Sequence, residues 1–137
     1  MGYTTEFEGK FKIEPQLPGS FVAEVNDLLA GRHDGQGWSS DPYNYPSNNL
    51  GTIEVPRGAV WCQWELENDG EATCIEWNGA EKFYFYKEWM ENILAYVRGR
   101  YPSMVVDGRM MYRGEDMRDV GIMTPGSLGR VVQTPLS

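Results

Sequence analysis

Aromatic side chains are concentrated in one stretch of this sequence. Residues 61–89 read WCQWELENDGEATCIEWNGAEKFYFYKEW and hold four of the chain's five tryptophans. Flat aromatic rings stack on planar ligands such as nucleobases, and they also fill hydrophobic cores. Apolar patterning predicts that Trp64, Trp77 and Trp89 belong to the core. It does not bury Trp61, which is therefore a better candidate for a ligand-binding wall.

Positive charge is confined to the end of the chain. Residues 98–137 contain six arginines, no lysine and four acidic residues, whereas residues 1–97 contain six basic and sixteen acidic residues. Because an arginine fork binds phosphate or carboxylate well, two or three of these arginines are candidates for an anion site. Pairing with surface carboxylates is the alternative. The candidate ligand-binding residues are Trp38, Tyr43, Tyr45, Trp61, Gln63, Tyr86, Arg98, Arg100, Arg109 and Arg113.

Signatures of catalysis are scarce in the sequence. His33 is the only histidine, which excludes a multi-histidine metal site and disfavours a histidine-based triad. The carboxylates at 115–119 match no metal-binding loop geometry, and turn capping with arginine pairing explains them. Glu76 and Glu81 are candidates for an acid and base pair, although strand-edge carboxylates facing water have the same pattern. We therefore expect no catalytic residue, no metal site and no cofactor.

Length and composition bound the class of protein. A chain of 137 residues with 41% apolar residues is long enough to bury a core as a single domain. The net charge of −8 argues against binding to duplex nucleic acid. The chain has neither an apolar run of membrane-spanning length nor a secretory signal, so we expect no membrane partner and a cytoplasmic location. The two cysteines, Cys62 and Cys74, are expected to be free thiols.

Alternating and helical patterns predict an α+β domain over residues 1–137, in which two helices pack on an antiparallel or mixed sheet built of hairpins. The predicted elements are a strand over 3–14 with a possible bulge at Gly9, a helix over 20–31 capped by Ser20, a strand candidate at 51–55, a hairpin over 60–77, a helix over 84–100, a hairpin about Asp107-Gly108, and strands near 121–124 and 129–133.

The turn residues Asp69-Gly70 predict the register of the 60–77 hairpin. A two-residue turn at this dipeptide pairs Trp64 with Ile75. That register places the apolar residues on one face, whereas a register opposing Cys62 to Cys74 mixes the faces. The hairpin is therefore expected to keep its two cysteines apart.

Residues 33–58 form a long connection without periodicity, which is more often functional than neutral in a compact domain. Trp38, Tyr43 and Tyr45 lie within it. These aromatic residues either pack against the rest of the domain and hold the loop in place, or line a lid over a pocket.

Three motifs carry a resemblance to a known family. They are GYTTEFEGKF at 2–11, VWCQW at 60–64 followed by IEWNGAEKFYFYKEW at 75–89, and RGEDMRDVG at 113–121. With these motifs the chain resembles a family of small uncharacterised phage and prophage proteins. It departs from the family pattern at 15–58, where an arginine-rich helical segment is shorter or absent. The resemblance implies phage origin and action in the cytoplasm of an infected bacterium.

Three functions fit these observations. The first is a phage counter-defence protein that sequesters a small nucleotide immune signal, such as a cyclic ADP-ribose or a cyclic dinucleotide, without cleaving it. The second is an acidic phage protein that binds and inhibits a host protein. The third is a nucleotide hydrolase that uses the carboxylates at 76–81 or 115–119. Because Trp61 suits a dimer interface as well as a ligand wall, a homo-oligomer is an additional expectation.

Overall fold

An antiparallel sheet with two helices packed on it forms the body of the protein. The computed structural model describes residues 2–31, 33, 53 and 55–136. Within them the elements are β1 (Thr5–Glu14), α1 (Gly19–Leu29), β2 (Trp64–Asn68), β3 (Thr73–Trp77), α2 (Tyr86–Arg100), β4 (Val105–Gly114), β5 (Val120–Pro125), a short 3₁₀ turn (Ser127–Gly129) and β6 (Val131–Pro135). The strand order is β2-β3-β1-β4-β5-β6 and every neighbouring pair is antiparallel. The predicted α+β class is confirmed.

The core lies between one face of the sheet and the two helices. Strand β1 buries Phe7, Phe11 and Ile13, as its alternation predicts. Helix α2 buries Trp89, Met90, Ile93, Leu94 and Val97, which are the residues of the predicted apolar stripe. No helix among the described residues is long and apolar enough to cross a membrane.

The predicted limits of the helices need two corrections. Helix α1 has Pro18 at its N-cap, with no side-chain cap, so Ser20 lies inside the first turn and does not cap it. Helix α2 begins at Tyr86 because Phe85 has the left-handed values φ 61° and ψ 32°. In the strand candidate at 51–55, Ile53 and Val55 are buried outside any strand, and the other three residues lie outside the described part.

The β2–β3 hairpin keeps its predicted faces in a different register. Trp64 pairs with Trp77 instead of Ile75, and the turn spans residues 69–72. The Asp69 carboxylate accepts hydrogen bonds from the backbone N–H groups of Glu71 and Ala72, both at 2.8 Å, which stabilises this longer loop. These bonds lower the pKa of Asp69 to about 2. Because the register shift is two residues, no side chain changes face.

The predicted hairpin at Asp107-Gly108 is wrong. These residues lie inside strand β4, which pairs along its whole length with β1. The predicted bulge at Gly9 is also wrong, because all ten residues of β1 have successive partners in β4. Gly9 and Gly108 instead have positive φ values of 98° and 102°. At each of them a Cβ would collide with a carbonyl oxygen of the opposite strand.

Candidate binding groove

A groove of about 990 Å³ lies at the open end of the β2–β3 hairpin. Its described wall has three parts: the end of α1 at Ala30 and Gly31, the segment before β2 at 58–63, and the segment after β3 at 78–84. Its volume is within the usual range for small-molecule pockets. The groove is therefore the best candidate for a functional site in the described part of the chain.

Backbone and indole hydrogen bonds fix the two segments beyond the hairpin. The N–H of Asn78 donates to the carbonyl oxygen of Gln63 at 2.9 Å, so the pairing continues past the last strand residues. The Trp77 indole donates to the carbonyl oxygen of Ala80 at 3.0 Å, and the Asn78 side chain accepts from the Ala80 N–H at 2.9 Å. The backbone of these two wall segments is therefore held by hydrogen bonds within and between the segments.

Trp61 is the main exposed aromatic residue of the groove. It is 53% exposed, whereas Trp64, three residues later, is 2% exposed. Within the described residues Trp61 makes no ring contact and no hydrogen bond. Tyr84 is a second exposed ring of the wall, and its hydroxyl accepts a hydrogen bond from the Tyr3 N–H at 2.8 Å. The groove thus presents two aromatic surfaces to a ligand.

Gln63 contributes a buried polar group to the same wall. Its side chain is only 7% exposed, and its Nε2 donates to the carbonyl oxygen of Glu81 at 2.8 Å. Its Oε1 is buried and has no hydrogen-bond partner within the described part of the chain. Buried acceptors without a partner are uncommon in folded proteins and call for an explanation.

The segment after β3 holds strained backbone. Lys82 and Phe85 both have φ 61°, in the left-handed region that residues with large side chains rarely adopt. Such strain is common at binding sites. Lys82 and Glu81 are the charged residues of the described wall, and their charges cancel.

The structure does not bring the predicted arginines to the groove. Arg100 lies at the end of α2, where Nη1 is 3.8 Å from Oε2 of Glu24. Its guanidinium lies 5.2 Å from the centre of the Phe21 ring. Arg98 is on the same helix, and Arg109 and Arg113 are exposed on β4, paired across the sheet with Lys10 and Glu6. These four residues line no part of the groove.

Tyr86 packs against the core instead of the groove. Its ring lies 4.9 Å from that of Phe7 and 6.0 Å from that of Tyr112. Its hydroxyl accepts a hydrogen bond from Gln133 Nε2 at 3.2 Å, and burial raises the pKa of Tyr86 to about 12. Trp77, which patterning assigns to the core, is partly buried beside Phe7.

The remaining predicted site residues lie outside the described part of the chain. They are Trp38, Tyr43 and Tyr45, together with most of the 33–58 loop. The structure adds Tyr84 and Lys82, which sequence reasoning missed. The run FYFY at 83–86 offers no helical or strand period to separate its members, because Phe85 reverses the backbone before α2 begins.

The acidic residues at 115–119 hold the N-terminal segment. The Tyr3 hydroxyl donates to Asp119 Oδ2 at 2.7 Å and accepts from the Asp116 N–H at 3.1 Å. Glu115 accepts from the Thr4 N–H at 2.7 Å. Two of the motifs that carry the family resemblance, at 2–11 and 113–121, therefore contact each other. No group of three metal-ligating side chains occurs within the described residues.

Glu76 and Glu81 have separate surroundings. Glu76 is on β3 and lies 3.7 Å from Lys10 Nζ, an exposed ion pair across the sheet. Glu81 is exposed on the groove wall, where its carbonyl oxygen accepts the Gln63 bond.

We expect both cysteines to resist thiol reagents in the folded protein. Burial raises the pKa of the Cys62 thiol to about 12 and also raises that of Cys74, whose Sγ donates to Asp69 at 3.5 Å. A pKa of about 12 leaves a thiolate fraction of roughly one in ten thousand at pH 8, and the thiolate is the reactive form. Labelling with Ellman's reagent should therefore be slow in buffer at pH 8 and complete in denaturant. Rapid labelling of the folded protein would contradict this assignment. The predicted free thiols are confirmed.

Comparisons of the chain with protein-family models, with curated proteins and with solved structures found no match.

Proposed function

We propose that this chain binds a small ligand containing a nucleobase in the groove beside Trp61 and sequesters it without cleavage. In this proposal the chain is a phage counter-defence protein, and the ligand is a nucleotide immune signal such as a cyclic ADP-ribose or a cyclic dinucleotide. The phage assignment rests on the three sequence motifs. The binding assignment rests on the groove.

The observation that carries the proposal is the exposure of Trp61. Leaving half of an indole in water has no benefit for folding, because buried aromatic area is a main source of stability. On the wall of a groove of about 990 Å³ the same ring is available to stack on a flat ligand. Stacking of a base on an aromatic side chain contributes about 1–3 kcal/mol.

The wall favours binding over hydrolysis. Among the described lining residues Glu81 is the one carboxylate, and no histidine or cysteine thiolate accompanies it. General acid and base catalysis needs positioned groups with suitable pKa values. The described wall therefore supports retention of an intact ligand.

The experiment is a thermal-shift screen against cyclic ADP-ribose, cyclic di-AMP, cyclic di-GMP, cyclic AMP and ATP, followed by recovery of the ligand after heat denaturation. A ligand at a hundredfold excess over its dissociation constant should stabilise the protein by about 2.7 kcal/mol. Trp61→Ala should weaken binding about 5- to 150-fold, the equivalent of the stacking free energy. Met117→Ala is the matched control, because Met117 is 91% exposed and does not line the groove.

Three outcomes would redirect the proposal. Altered ligand after recovery would indicate an enzyme. Unchanged binding by the Trp61 variant would place the ligand elsewhere. A change in molecular mass of the Trp61 variant, measured by analytical ultracentrifugation, would indicate that Trp61 lies between two copies of the chain.

A second candidate function is inhibition of a host protein through an acidic surface. Glu65 and Glu76 are directly opposed in the β2–β3 hairpin, and Glu8 and Glu67 are exposed on β1 and β2. Opposed carboxylates destabilise a sheet, and a basic partner would relieve their repulsion. Loss of one stoichiometric host partner in a Glu65→Lys and Glu67→Lys double variant, with capture kept by Trp61→Ala, would favour this function.

A further inference from the structure

The orientation of the Gln63 amide is fixed by its surroundings. An amide nitrogen and oxygen are hard to tell apart by shape alone, and their assignment comes from hydrogen bonds. The carbonyl oxygen of Glu81 can only accept, so the group 2.8 Å from it must be the Gln63 nitrogen. The other end of the amide is therefore the acceptor Oε1.

Among the described residues this acceptor has no hydrogen-bond partner, and it has almost no exposed surface. Gln63 is more than nine-tenths buried and lies two residues from Trp61 on the same groove. Removing an amide oxygen from water without replacing its hydrogen bond costs free energy. Oε1 is shielded from solvent in the empty groove, so a ligand must shift the wall beside it to reach it. A ligand that supplies an N–H group there would recover the hydrogen bond, whereas a ligand without one would leave it unmade.

The described wall of the groove carries no net charge. Lys82 and Glu81 offset one another in the described wall, and the four candidate arginines lie elsewhere. The described wall therefore offers a ligand aromatic rings and hydrogen-bonding groups, with one charge of each sign.

We propose that Gln63 Oε1 accepts a hydrogen bond from a ring or exocyclic N–H of the bound base, so that the groove selects bases with an available N–H donor. This inference rests on the proposed function, since it specifies how a ligand on Trp61 is recognised. Trp61 supplies stacking that tolerates any base, and Gln63 supplies the discrimination.

Matched nucleoside pairs test the inference. The pairs are adenosine with N6,N6-dimethyladenosine, guanosine with 1,N2,N2-trimethylguanosine, and uridine with 3-methyluridine, in which methylation removes the donors of the base edge. Dissociation constants up to about 10 mM would be followed by NMR at the Gln63 amide and the Trp61 indole. In at least one pair the methylated member should bind about tenfold more weakly, the usual scale of one hydrogen bond.

Variants separate the donor effect from steric exclusion. Gln63→Met keeps the length of the side chain but removes the acceptor. The methylated and unmethylated nucleosides of a pair should therefore bind this variant with about equal affinity. Gln133→Met is the matched control, because Gln133 contacts Tyr86 away from the groove. It should keep the preference. The nucleoside pairs need only the wild-type chain, so the inference stays testable if Gln63→Met fails to fold.

The outcomes distinguish this inference from the proposed function. Equal binding of both members in every pair would overturn the role of Gln63 and leave stacking on Trp61 intact. A preference that survives in Gln63→Met would overturn it as well, since methylation would then act by size. Failure of every nucleoside and of every cyclic nucleotide to bind the wild-type chain would overturn the proposed function, and the inference with it.

Discussion

Trp64→Ala is expected to lower the free energy of unfolding by about 4 kcal/mol, the usual scale for removing a large aromatic side chain from a core. Trp64 is 2% exposed, and its ring lies 4.9 Å from those of both Phe7 and Phe83. Its indole nitrogen donates to the carbonyl oxygen of Tyr86 at 2.8 Å, which holds the start of α2 against β2. The variant loses the ring contacts of Trp64, leaves a cavity in the core and removes the hydrogen-bond donor of the Tyr86 carbonyl group. Urea denaturation measures the change.

Trp61→Ala is the matched control for Trp64, because it removes the same side chain three residues away. Trp61 is 53% exposed, so its replacement should lower stability by only about 1–2 kcal/mol, the scale of burying the other half of the ring. Trp64→Ala should therefore lose much more stability, and Trp61→Ala should lose ligand binding. Comparable destabilisation by both would mean that Trp61 is also part of the core and would remove the main support for the binding proposal.

Gly108→Ala is expected to destabilise the protein by about 3 kcal/mol. Gly108 has φ 102°, and a Cβ there would collide with the carbonyl oxygen of Lys10 and lie 3.3 Å from Phe11 Cα. The atoms in the way belong to the backbone of β1, so they cannot move aside without disrupting the pairing of β1 with β4. Alanine therefore introduces both a strained φ and a clash. Thermal and urea denaturation would give the change in stability.

Substitutions at two other glycines distinguish the cost of the left-handed backbone from the cost of the steric clash. Gly70 has φ 99° but open space around its Cβ position, so Gly70→Ala should cost about 1 kcal/mol from the left-handed conformation alone. Gly99 is helical and open, so Gly99→Ala should stabilise the protein by about 0.5–1 kcal/mol. A loss at Gly108 no larger than that at Gly70 would show that the β1–β4 pair relaxes around the added methyl group.

The acidic motif at 113–121 shows how a chemically suggestive pattern can have a structural role. Carboxylates at this spacing are candidates for a metal or a catalytic group when only the sequence is considered. In the structure Asp119 and Glu115 accept hydrogen bonds from the segment at 3–4, more than a hundred residues away in sequence. The pattern therefore fixes the segment before β1 against the connection between β4 and β5.

Periodicity in the sequence predicted the core-facing residues of β1 and α2. The alternation around Phe7, Phe11 and Ile13 and the stripe on α2 follow from the repeat of two in a strand and of about 3.6 in a helix. These repeats are properties of the local backbone. The faces of the β2–β3 hairpin were predicted correctly for the same reason, even though its register was wrong.

Contacts between distant residues required the tertiary structure. Asp107-Gly108 has the chemistry of a turn, but ten residues of β1 pair with this segment and keep it extended. Sequence patterning leaves Trp61 unburied, and Trp61 is exposed, but no pattern indicates that Gln63 is buried with no partner for its oxygen among the described residues. The sequence by itself determined the class of fold and its core faces, because those depend on local repeats. Strand register, the position of the arginines away from the groove and the orphan acceptor were decided by packing between segments far apart in the chain.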